Sequence, residues 1–589
     1  LSGAAQAAQE LRDEIPELGR SSYVTSDACR ACHQEQHASW HDSFHRTMTQ
    51  VATPESVMAP WHGELESRGW RYRLFRRGEE YWAELPDPDW ARAERLAGRD
   101  VDRRPDPPRV ERRVVMTTGS HHMQTYWVPS ESGREVYNLP FVYLFDDRRW
   151  VPREDVFLRP PNAGRLVGLW NNSCIECHST GGAVGFDFEH EVFESQVAEM
   201  GISCEACHGP AEGHAAANRD PVRRYRLRGE DTTDPTIVQP ARLDHERSTY
   251  VCGQCHGVWM AEDPERWLAE GHPYRPGDDL AETRFLVRPA RDRNHPKLRE
   301  LVSRYPDALA SRFWSDGMVR VSGRDMSGMI ESPCYQPGEM SCLTCHSMHG
   351  YEETADQLAP DMRTNAACTQ CHGELAEAAT LTRHTRHTAS SAGSSCYNCH
   401  MPRTVYGLLT AIRSHQIDSP SVATSLDTGR PNACNLCHLD RSLGWAAREL
   451  ETGWGVARPA LTAEQETVSG ALLWLLTGDA GQRALIAWHL GWRPAQEVSG
   501  TGWLAPYLGH LLADPYAAVR YVAHHALTTL PGWDTLPYDY VAPQAELLAA
   551  RLTEDRTVAL DVVRPGEPTP RLVTIRARPG DDLPPLVDT

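Results

Sequence analysis

The chain repeats one short motif, C-x-x-C-H, eight times. The motifs take 16 of the 17 cysteines, and we number them 1 to 8 in chain order: Cys29-Cys32-His33, Cys174-Cys177-His178, Cys204-Cys207-His208, Cys252-Cys255-His256, Cys342-Cys345-His346, Cys368-Cys371-His372, Cys396-Cys399-His400 and Cys434-Cys437-His438. Two thiols about one helical turn apart can form thioethers with the two vinyl groups of a haem, and the adjacent histidine reaches the iron. Zinc ribbons also use paired cysteines, but they do not require a histidine after every second one. The sequence therefore predicts eight covalently attached c-type haems, each with its motif histidine as the proximal ligand.

Covalent haem attachment takes place outside the cytoplasm, so the motifs predict a periplasmic or extracellular protein. The sequence starts at Leu1 without a charged segment and an apolar core, which indicates a mature chain whose signal peptide has been removed. The longest apolar run, around 471–476, is too short for a transmembrane segment. With 80 Asp+Glu against 60 Lys+Arg the chain is acidic, which disfavours nucleic acid as a partner. The only lysine is Lys297, so no motif has a lysine in the proximal position.

Local sequence patterns divide the chain into five regions. We predict an N-terminal segment with motif 1 (1–50), a β-rich insertion (51–160), a multihaem core with motifs 2 to 8 (161–440), HEAT-like helical repeats (441–540) and a tail with a hairpin (541–589). The predicted fold class is a multihaem cytochrome c, mainly α and irregular around a haem-packed core. It carries a small β-rich insertion and a C-terminal α-helical repeat domain.

The predicted elements follow from periodicity. In the insertion, alternating aromatic and β-branched residues predict strands at WRYRLFRR, EYWAEL, ERRVVMTTG, MQTYWVP and EVYNLPFVYLF. Helical spacing in TGDAGQRALIAWHLGW and LLADPYAAVRYVAHHALTTLPG predicts a short repeat array. The stretches TVALDVV and RLVTIRAR predict the hairpin of the tail. Near motif 1, His37, His41 and His45 have the spacing of one helix face.

Several stretches are more specific than the bare motif: SDACRACHQEQHASWHDSFHRTM, WNNSCIECHST, GISCEACHGPAEGH, SCYNCHMP and RPNACNLCH. Through them the chain resembles exported multihaem cytochromes related to cytochrome c554, over most of residues 21–440. More distantly it is similar to octahaem hydroxylamine oxidoreductases and multihaem nitrite reductases, and some members of the c554-like group continue into helical repeats. The resemblance implies electron transfer between haems with mostly bis-histidine ligation, but it does not imply one reaction.

Nineteen histidines remain after the eight proximal ones are assigned. The family pattern favours His45, His214 and His349 as distal ligands. Further candidates follow from their positions: one of His121 and His122, His272, one of His384 and His387, and His415. These supply seven distal ligands for eight irons, and His62, His190, His245 and His295 are further candidates for the eighth. We predict packing or surface roles for the histidines of the repeat helices: His489, His510, His524 and His525.

Cys334 is the one cysteine outside the motifs. It precedes motif 5, at a position where related cytochromes carry a histidine in a similar S-P-H context. Three interpretations stay open for it: an axial haem ligand, an inert buried thiol, or a reactive thiol that handles a sulfur substrate. As a ligand, its thiolate would lower the potential of the haem it binds.

Two classes of function are compatible with the sequence. The first is an electron conduit between redox partner proteins, either as a single chain or within a homo-oligomer or filament. The alternative is an octahaem oxidoreductase that acts on a small nitrogen or sulfur compound at one incompletely ligated or cysteine-ligated haem, with Cys334 as the candidate catalytic residue. Arg320 and Arg324 are placed to bind an anion, although pairing with haem propionates is the favoured interpretation.

Overall fold

The computed structural model describes residues 15–102, 104–131, 134–160, 168–229, 233–336, 338, 340–542, 558–562 and 571–575. All 27 histidines and all 17 cysteines of the chain lie within these residues. Its α-helices are Ser26–Arg30, Gln34–His41, Pro88–Leu96, Trp170–Ser173, Ile175–His178, Cys204–His208, Glu212–Ala217, Pro221–Gly229, His245–His256, Pro264–Glu270, Pro296–Arg304, Asp325–Met329, Ala366–Thr369, Ala378–Thr385, Cys396–His400, Val422–Thr428, Leu443–Trp454, Ala463–Thr467, Gly470–Thr477, Ala480–Leu490, Arg493–Ser499, Leu504–Leu511 and Ala517–Thr528. Short 3₁₀ turns lie at Arg46–Met48, Arg153–Val156, Pro240–Arg242, Leu280–Glu282, Cys342–Thr344, Gly373–Ala376 and Ala392–Ser394.

The strands form two larger antiparallel sheets and several small ones. The four-stranded sheet has the order Gly63–Ser67, Trp70–Arg77, Glu80–Pro86, Arg109–Arg113, and the five-stranded sheet has the order Arg149–Pro152, Val136–Leu144, Met123–Pro129, Met116–Thr118, Thr49–Val51. Two-stranded pairs are Glu17–Leu18 with Gln196–Val197, Ser179–Thr180 with Glu199–Met200, Phe186–Asp187 with Val192–Phe193, Trp259–Ala261 with Arg284–Leu286, Val405–Gly407 with Thr410–Ile412, and Val558–Val562 with Arg571–Ile575. The last pair is the hairpin predicted in the tail.

The two larger sheets share an aromatic core, and alternation along the strands explains it. In Trp70–Arg77, every second side chain from Trp70 to Leu74 is buried, because successive residues of a strand point to opposite faces. Trp61 then contacts Tyr126 of the five-stranded sheet, with ring centres 4.8 Å apart. The stretch predicted as one strand, ERRVVMTTG, is divided between the two sheets at the fully buried Val115. The chain crosses from one sheet to the other there.

The C-terminal region is helical, as its sequence period predicts. Helices Ala480–Leu490 and Ala517–Thr528 pack so closely that a side-chain carbon at Gly491 would lie 2.8 Å from Ala526 Cα. A buried ion pair joins the start of the first helix to the turn before the second, with Arg483 Nε 2.7 Å from Asp514 Oδ2. These helices form one large apolar core with residues around motif 8, including Leu436 and Leu439.

Short helices and turns carry the motifs, and the segments between them are mostly irregular. One prediction about this region is wrong: the helix after motif 1 ends at His41, so His45 is not on the same helix face as His37 and His41. His45 instead begins the 3₁₀ turn Arg46–Met48. Among the described residues, no helix combines the length and the apolar character that a bilayer crossing requires.

Candidate haem-binding sites

Each motif places its histidine by the same local hydrogen bond. The amide N–H of the histidine donates to the carbonyl of the first cysteine, for example from His178 to Cys174 at 2.9 Å and from His438 to Cys434 at 2.8 Å. This bond closes one helical turn, so the two thiols and the imidazole emerge from one side of the chain. The arrangement suits a planar group that is held by both thiols and ligated by the histidine.

Six of the motif histidines face a second histidine from elsewhere in the chain. The pairs, with the distance between ring centres, are His33–His214 (motif 1, 6.3 Å), His208–His349 (motif 3, 6.3 Å), His256–His45 (motif 4, 6.4 Å), His346–His415 (motif 5, 6.3 Å), His400–His384 (motif 7, 6.2 Å) and His438–His387 (motif 8, 6.1 Å). In five pairs the ring planes lie within 34° of each other, whereas the pair of motif 4 is crossed at 69°.

The spacing of these pairs fits one metal ion between two imidazoles. A metal–imidazole bond is about 2 Å and a ring centre lies about 1.1 Å behind its nitrogen, so two imidazoles on opposite sides of one iron have centres about 6.2 Å apart. Direct stacking would bring the rings closer than this, and unrelated side chains would not repeat one distance. The residues present therefore fit haem iron with two axial histidines.

The outer ring nitrogens of the facing histidines are held by neutral acceptors in most cases. In four of them, Nδ1 donates to a backbone carbonyl: His208 to Val238 (2.7 Å), His346 to Asp356 (2.9 Å), His400 to Asp418 (2.8 Å) and His387 to Thr385 (2.6 Å). These bonds fix the tautomer, because the nitrogen that donates outward leaves Nε2 free for the metal. Burial lowers the pKa of His45 to about 4, which keeps that imidazole neutral and able to bind a metal.

The histidines of motifs 2 and 6 do not face another histidine. Since every histidine of the chain lies among the described residues, His178 and His372 lack a second imidazole in this structure. His178 lies among positive charges: burial, then Arg324 and Arg153, lowers its pKa to about 4. The Nη1 atom of Arg153 is buried without a hydrogen-bond partner. Motif 2 thus combines an unpaired imidazole with two nearby guanidinium groups.

Cys334, which precedes motif 5 in the sequence, also lies near motif 6. Its thiol is close enough to Cys368, the first cysteine of motif 6, to affect it electrostatically. Cys334 is only partly exposed, and His372 in the same motif is the other histidine without a facing partner. The extra cysteine and the missing ligand therefore occur in one part of the molecule.

The remaining candidates His121, His122 and His272 make other contacts. His121 stacks on His122 at 3.7 Å and on Phe44 at 4.2 Å. His272 lies with Nε2 2.8 Å from Glu176 Oε1. Among the described residues, neither His121, His122 nor His272 faces a motif histidine, whereas His384 and His387 both do, at motifs 7 and 8.

Two arginines were expected to contact an anion or haem propionates. In the structure, Arg320 Nη2 contacts both carboxylate oxygens of Asp479, at 2.7 and 2.8 Å. This ion pair links the motif region to the C-terminal helices. Arg324 donates to the carbonyl of Cys255 at 2.9 Å, beside motif 4. Asp325 was not among the predicted site residues, and its carboxylate accepts a hydrogen bond from His256.

Thiols of neighbouring motifs lie close to one another. In four pairs from different motifs, one thiol shifts the pKa of the other: Cys29 with Cys204, Cys177 with Cys255, Cys252 with Cys342, and Cys368 with Cys396. Three further pairs are near neighbours: Cys207 with Cys252, Cys345 with Cys371, and Cys399 with Cys434. Together they order the motifs as 1–3–4–5–6–7–8, and motif 2 joins the series at motif 4 as a branch.

Known protein families match the chain over these same residues. Residues 167–209, which hold motifs 2 and 3, match the family described as cytochrome c554 and c-prime. Residues 336–377 match a doubled CXXCH motif, and residues 357–439 match cytochrome c7 and related cytochrome c. The chain is a multihaem c-type cytochrome. The c554 match covers the stretch WNNSCIECHST and the first nine residues of GISCEACHGPAEGH, two of the stretches that carry the resemblance in the sequence.

The chain is also similar to individual proteins. The multihaem cytochrome MtrA of Shewanella baltica (strain OS185) is 26% identical over 206 residues, which are 34% of this cytochrome and 53% of MtrA. This cytochrome thus spans about half the length of that relative. Among solved structures, it is similar to the outer cell wall cytochrome OcwA, with a TM-score of 0.47 and 15% identity over 86% of this chain and 100% of OcwA. The undecahaem cytochrome from the S-layer of Carboxydothermus ferrireducens gives a TM-score of 0.32 and 14% identity over 90% and 72% of the two chains.

Proposed function

We propose that this cytochrome carries electrons between redox partners outside the cytoplasm, along a chain of eight covalently bound haems. The observation that supports it is the continuous order of thiol neighbours, which links all eight motifs. Bound haem supplies the one-electron chemistry. The cysteines set the order of the sites, and two axial histidines at one iron favour electron transfer over ligand binding.

The proposal assigns distal ligands to seven motifs. Six motifs would take the histidine that faces their own: His214 at motif 1, His349 at motif 3, His45 at motif 4, His415 at motif 5, His384 at motif 7 and His387 at motif 8. Cys334 would serve motif 6, because its thiol lies beside Cys368 and no histidine faces His372. The inert and the reactive interpretations of Cys334 are the alternatives that a spectrum of the oxidised protein separates.

The location and the assembly are part of the same proposal. Covalent c-type haem is attached outside the cytoplasm, which supports a periplasmic or extracellular location after removal of a signal peptide. We propose that the helices of 441–540 form a HEAT-like surface for protein partners, and that electrons pass to redox proteins or to neighbouring copies in an oligomer or filament. The domain division predicted from the sequence belongs to this proposal.

Removal of single haems tests the conduit. The variant Cys342→Ala/Cys345→Ala lacks the attachment site of motif 5 and interrupts the series, whereas Cys174→Ala/Cys177→Ala lacks only the branch at motif 2. We expect the conductance of a protein film between two electrodes to fall by an order of magnitude in the first variant and much less in the second. Haem content and circular dichroism establish that each variant is folded. Equal losses in the two variants would contradict the proposed route.

A second candidate is an oxidoreductase for a small nitrogen or sulfur compound, and the observation that favours it is the unpaired His178. An iron with one protein ligand has an open position, and Arg153 and Arg324 would favour an anion near it. In that case the oxidised protein has a high-spin electron paramagnetic resonance (EPR) signal that nitrite or sulfite changes. A wholly low-spin spectrum that neither anion alters would exclude this candidate and leave the conduit unaffected.

A further inference from the structure

One carboxylate lies between axial histidines that belong to two different motifs. Asp325 Oδ2 accepts a hydrogen bond from Nδ1 of His256, the proximal histidine of motif 4, at 3.2 Å. Its other oxygen, Oδ1, lies 3.3 Å from Nδ1 of His415, which faces His346 of motif 5. The first contact has hydrogen-bond geometry, and the second is a close polar contact without that alignment. Asp325 therefore touches one axial ligand of each of two neighbouring sites.

The helix that carries Asp325 is fixed against both ligand segments. On the side of motif 4, Met326 fills the space left by Gly253, where a side-chain carbon would lie 1.9 Å from the Met326 sulfur. On the other side, Gly328 packs against the backbone of Gln416, next to His415. A side-chain carbon at Gly328 would lie 3.0 Å from the amide nitrogen of Gln416. The helix Asp325–Met329 is thus wedged between the two histidine segments, and its carboxylate has little freedom to move.

Ser332, just after this helix, adds a third constraint. Its hydroxyl accepts a hydrogen bond from the amide of Ile417 at 2.8 Å and donates to the carbonyl of His415 at 3.3 Å. These bonds hold the His415 segment at a set distance from Asp325. The shared contact is therefore a built feature of the fold rather than a chance approach of flexible side chains.

The partner of Nδ1 distinguishes His256 and His415 from other axial histidines. The Nδ1 atoms of four others bond to neutral backbone carbonyls: His208 at motif 3, His346 at motif 5, His400 at motif 7 and His387 at motif 8. At motif 1, Asp234 lies 3.3 Å from His214, but among the described contacts it serves that one axial histidine. Among the described residues, Asp325 is the one carboxylate in contact with axial histidines of two motifs.

We propose that Asp325 is a positioning residue that sets the reduction potentials of the iron sites of motifs 4 and 5 together. A carboxylate at Nδ1 makes an imidazole more electron-donating, and its negative charge stabilises the oxidised state of the nearby iron. Both potentials are therefore lowered by one side chain, with the larger effect at His256, where the contact is a hydrogen bond. Motif 4 is also the junction that adjoins motifs 2, 3 and 5, so the residue acts at the branch of the series.

This inference rests on the proposed binding of haem at motifs 4 and 5, but not on the conduit itself, since potentials can be measured whether or not electrons pass through the chain. The experiment is a spectroelectrochemical titration of the intact, fully haem-loaded protein and of Asp325→Asn. We expect two of the eight one-electron components to move to higher potential in the variant. Crossed axial rings give a low-spin EPR signal distinct from that of parallel rings, so the component of motif 4, crossed at 69°, can be identified independently.

Asp356→Asn is the matched control. It removes one carboxylate beside motif 5, but His346 bonds to the backbone carbonyl of Asp356, which the substitution leaves in place. We expect a much smaller shift in this control. Asp325→Glu, which retains the charge, should keep the potentials closer to those of the natural protein and serves where Asp325→Asn fails to load eight haems. A shift of only one component, of none, or an equal shift in Asp356→Asn would overturn the proposal.

Discussion

The imidazoles of His208 and His349 lie face to face, 6.3 Å apart and within 16° of parallel, although His208 belongs to motif 3 and His349 follows motif 5. His349 follows His346 by only three residues, and His346 is the proximal histidine of motif 5. The short stretch from Cys342 to His349 therefore contributes to two sites. Such sharing fixes the relative position of motifs 3 and 5, which both adjoin motif 4.

The substitution His349→Ala tests this pairing. It leaves His208 without a facing imidazole, so we expect one haem to change from low-spin to high-spin in the oxidised protein, as measured by EPR. His190→Ala is the control, because His190 is exposed and bonds only to Asp187 on the surface. An unchanged low-spin spectrum in His349→Ala would contradict the assignment.

If Cys334 is the distal ligand at motif 6, two substitutions of it should change the EPR spectrum in different ways. In Cys334→Ala, a thiolate-type low-spin signal should disappear from the EPR spectrum. In Cys334→His, we expect a bis-histidine signal at a higher potential, because a thiolate donates more electron density to iron than an imidazole does. If both variants have the spectrum of the natural protein, Cys334 is not a ligand and the inert interpretation holds.

The buried ion pair of the C-terminal helices should be important for stability. Arg483 and Asp514 are almost completely buried, so Arg483→Met removes the guanidinium that pairs with a buried carboxylate and should lower the free energy of unfolding by about 3–5 kcal/mol. Arg493→Met is the matched control, because the pair of Arg493 with Glu497 is exposed and should contribute less than about 1 kcal/mol. Denaturant unfolding followed by circular dichroism measures both effects. Equal losses would show that burial of the pair is not decisive.

The buried His489 should make the stability of the folded protein sensitive to acid. Burial lowers its pKa from 6.5 to about 4, so the folded state holds it neutral while the unfolded chain binds a proton below pH 6.5. Its contribution is present above pH 6.5 and is lost as the pH falls towards 4, by up to about 3 kcal/mol. We expect thermal unfolding of His489→Gln to depend less on pH between 6.5 and 4 than that of the natural protein. Parallel pH profiles would contradict this.

The local features of the fold could be predicted from the sequence, but the long-range pairing could not. Alternation predicted the strands of the insertion, and the motif spacing predicted the cysteines and histidines that converge on each site. Which distant histidine serves which motif depends on how irregular segments fold back on one another, and no periodicity encodes that. The position of motif 2 as a branch beside motif 4 could not be predicted for the same reason.

His384 and His387 illustrate the limit. The sequence suggested one of them as a distal ligand, because both lie shortly before motif 7. The helix Ala378–Thr385 ends at Arg386, whose φ of 61° is left-handed, and the chain turns there. His384 therefore faces His400 and His387 faces His438. A single backbone turn sends two neighbouring histidines to two sites.

The direct contacts between thiols of different motifs have a consequence for biogenesis. In an oxidising compartment, Cys177 beside Cys255, or Cys29 beside Cys204, would readily cross-link as disulfides in a folded chain without haem. Each such bond would block haem attachment at two motifs at once until it is reduced. Haem attachment must therefore come before the chain folds and brings these thiols together.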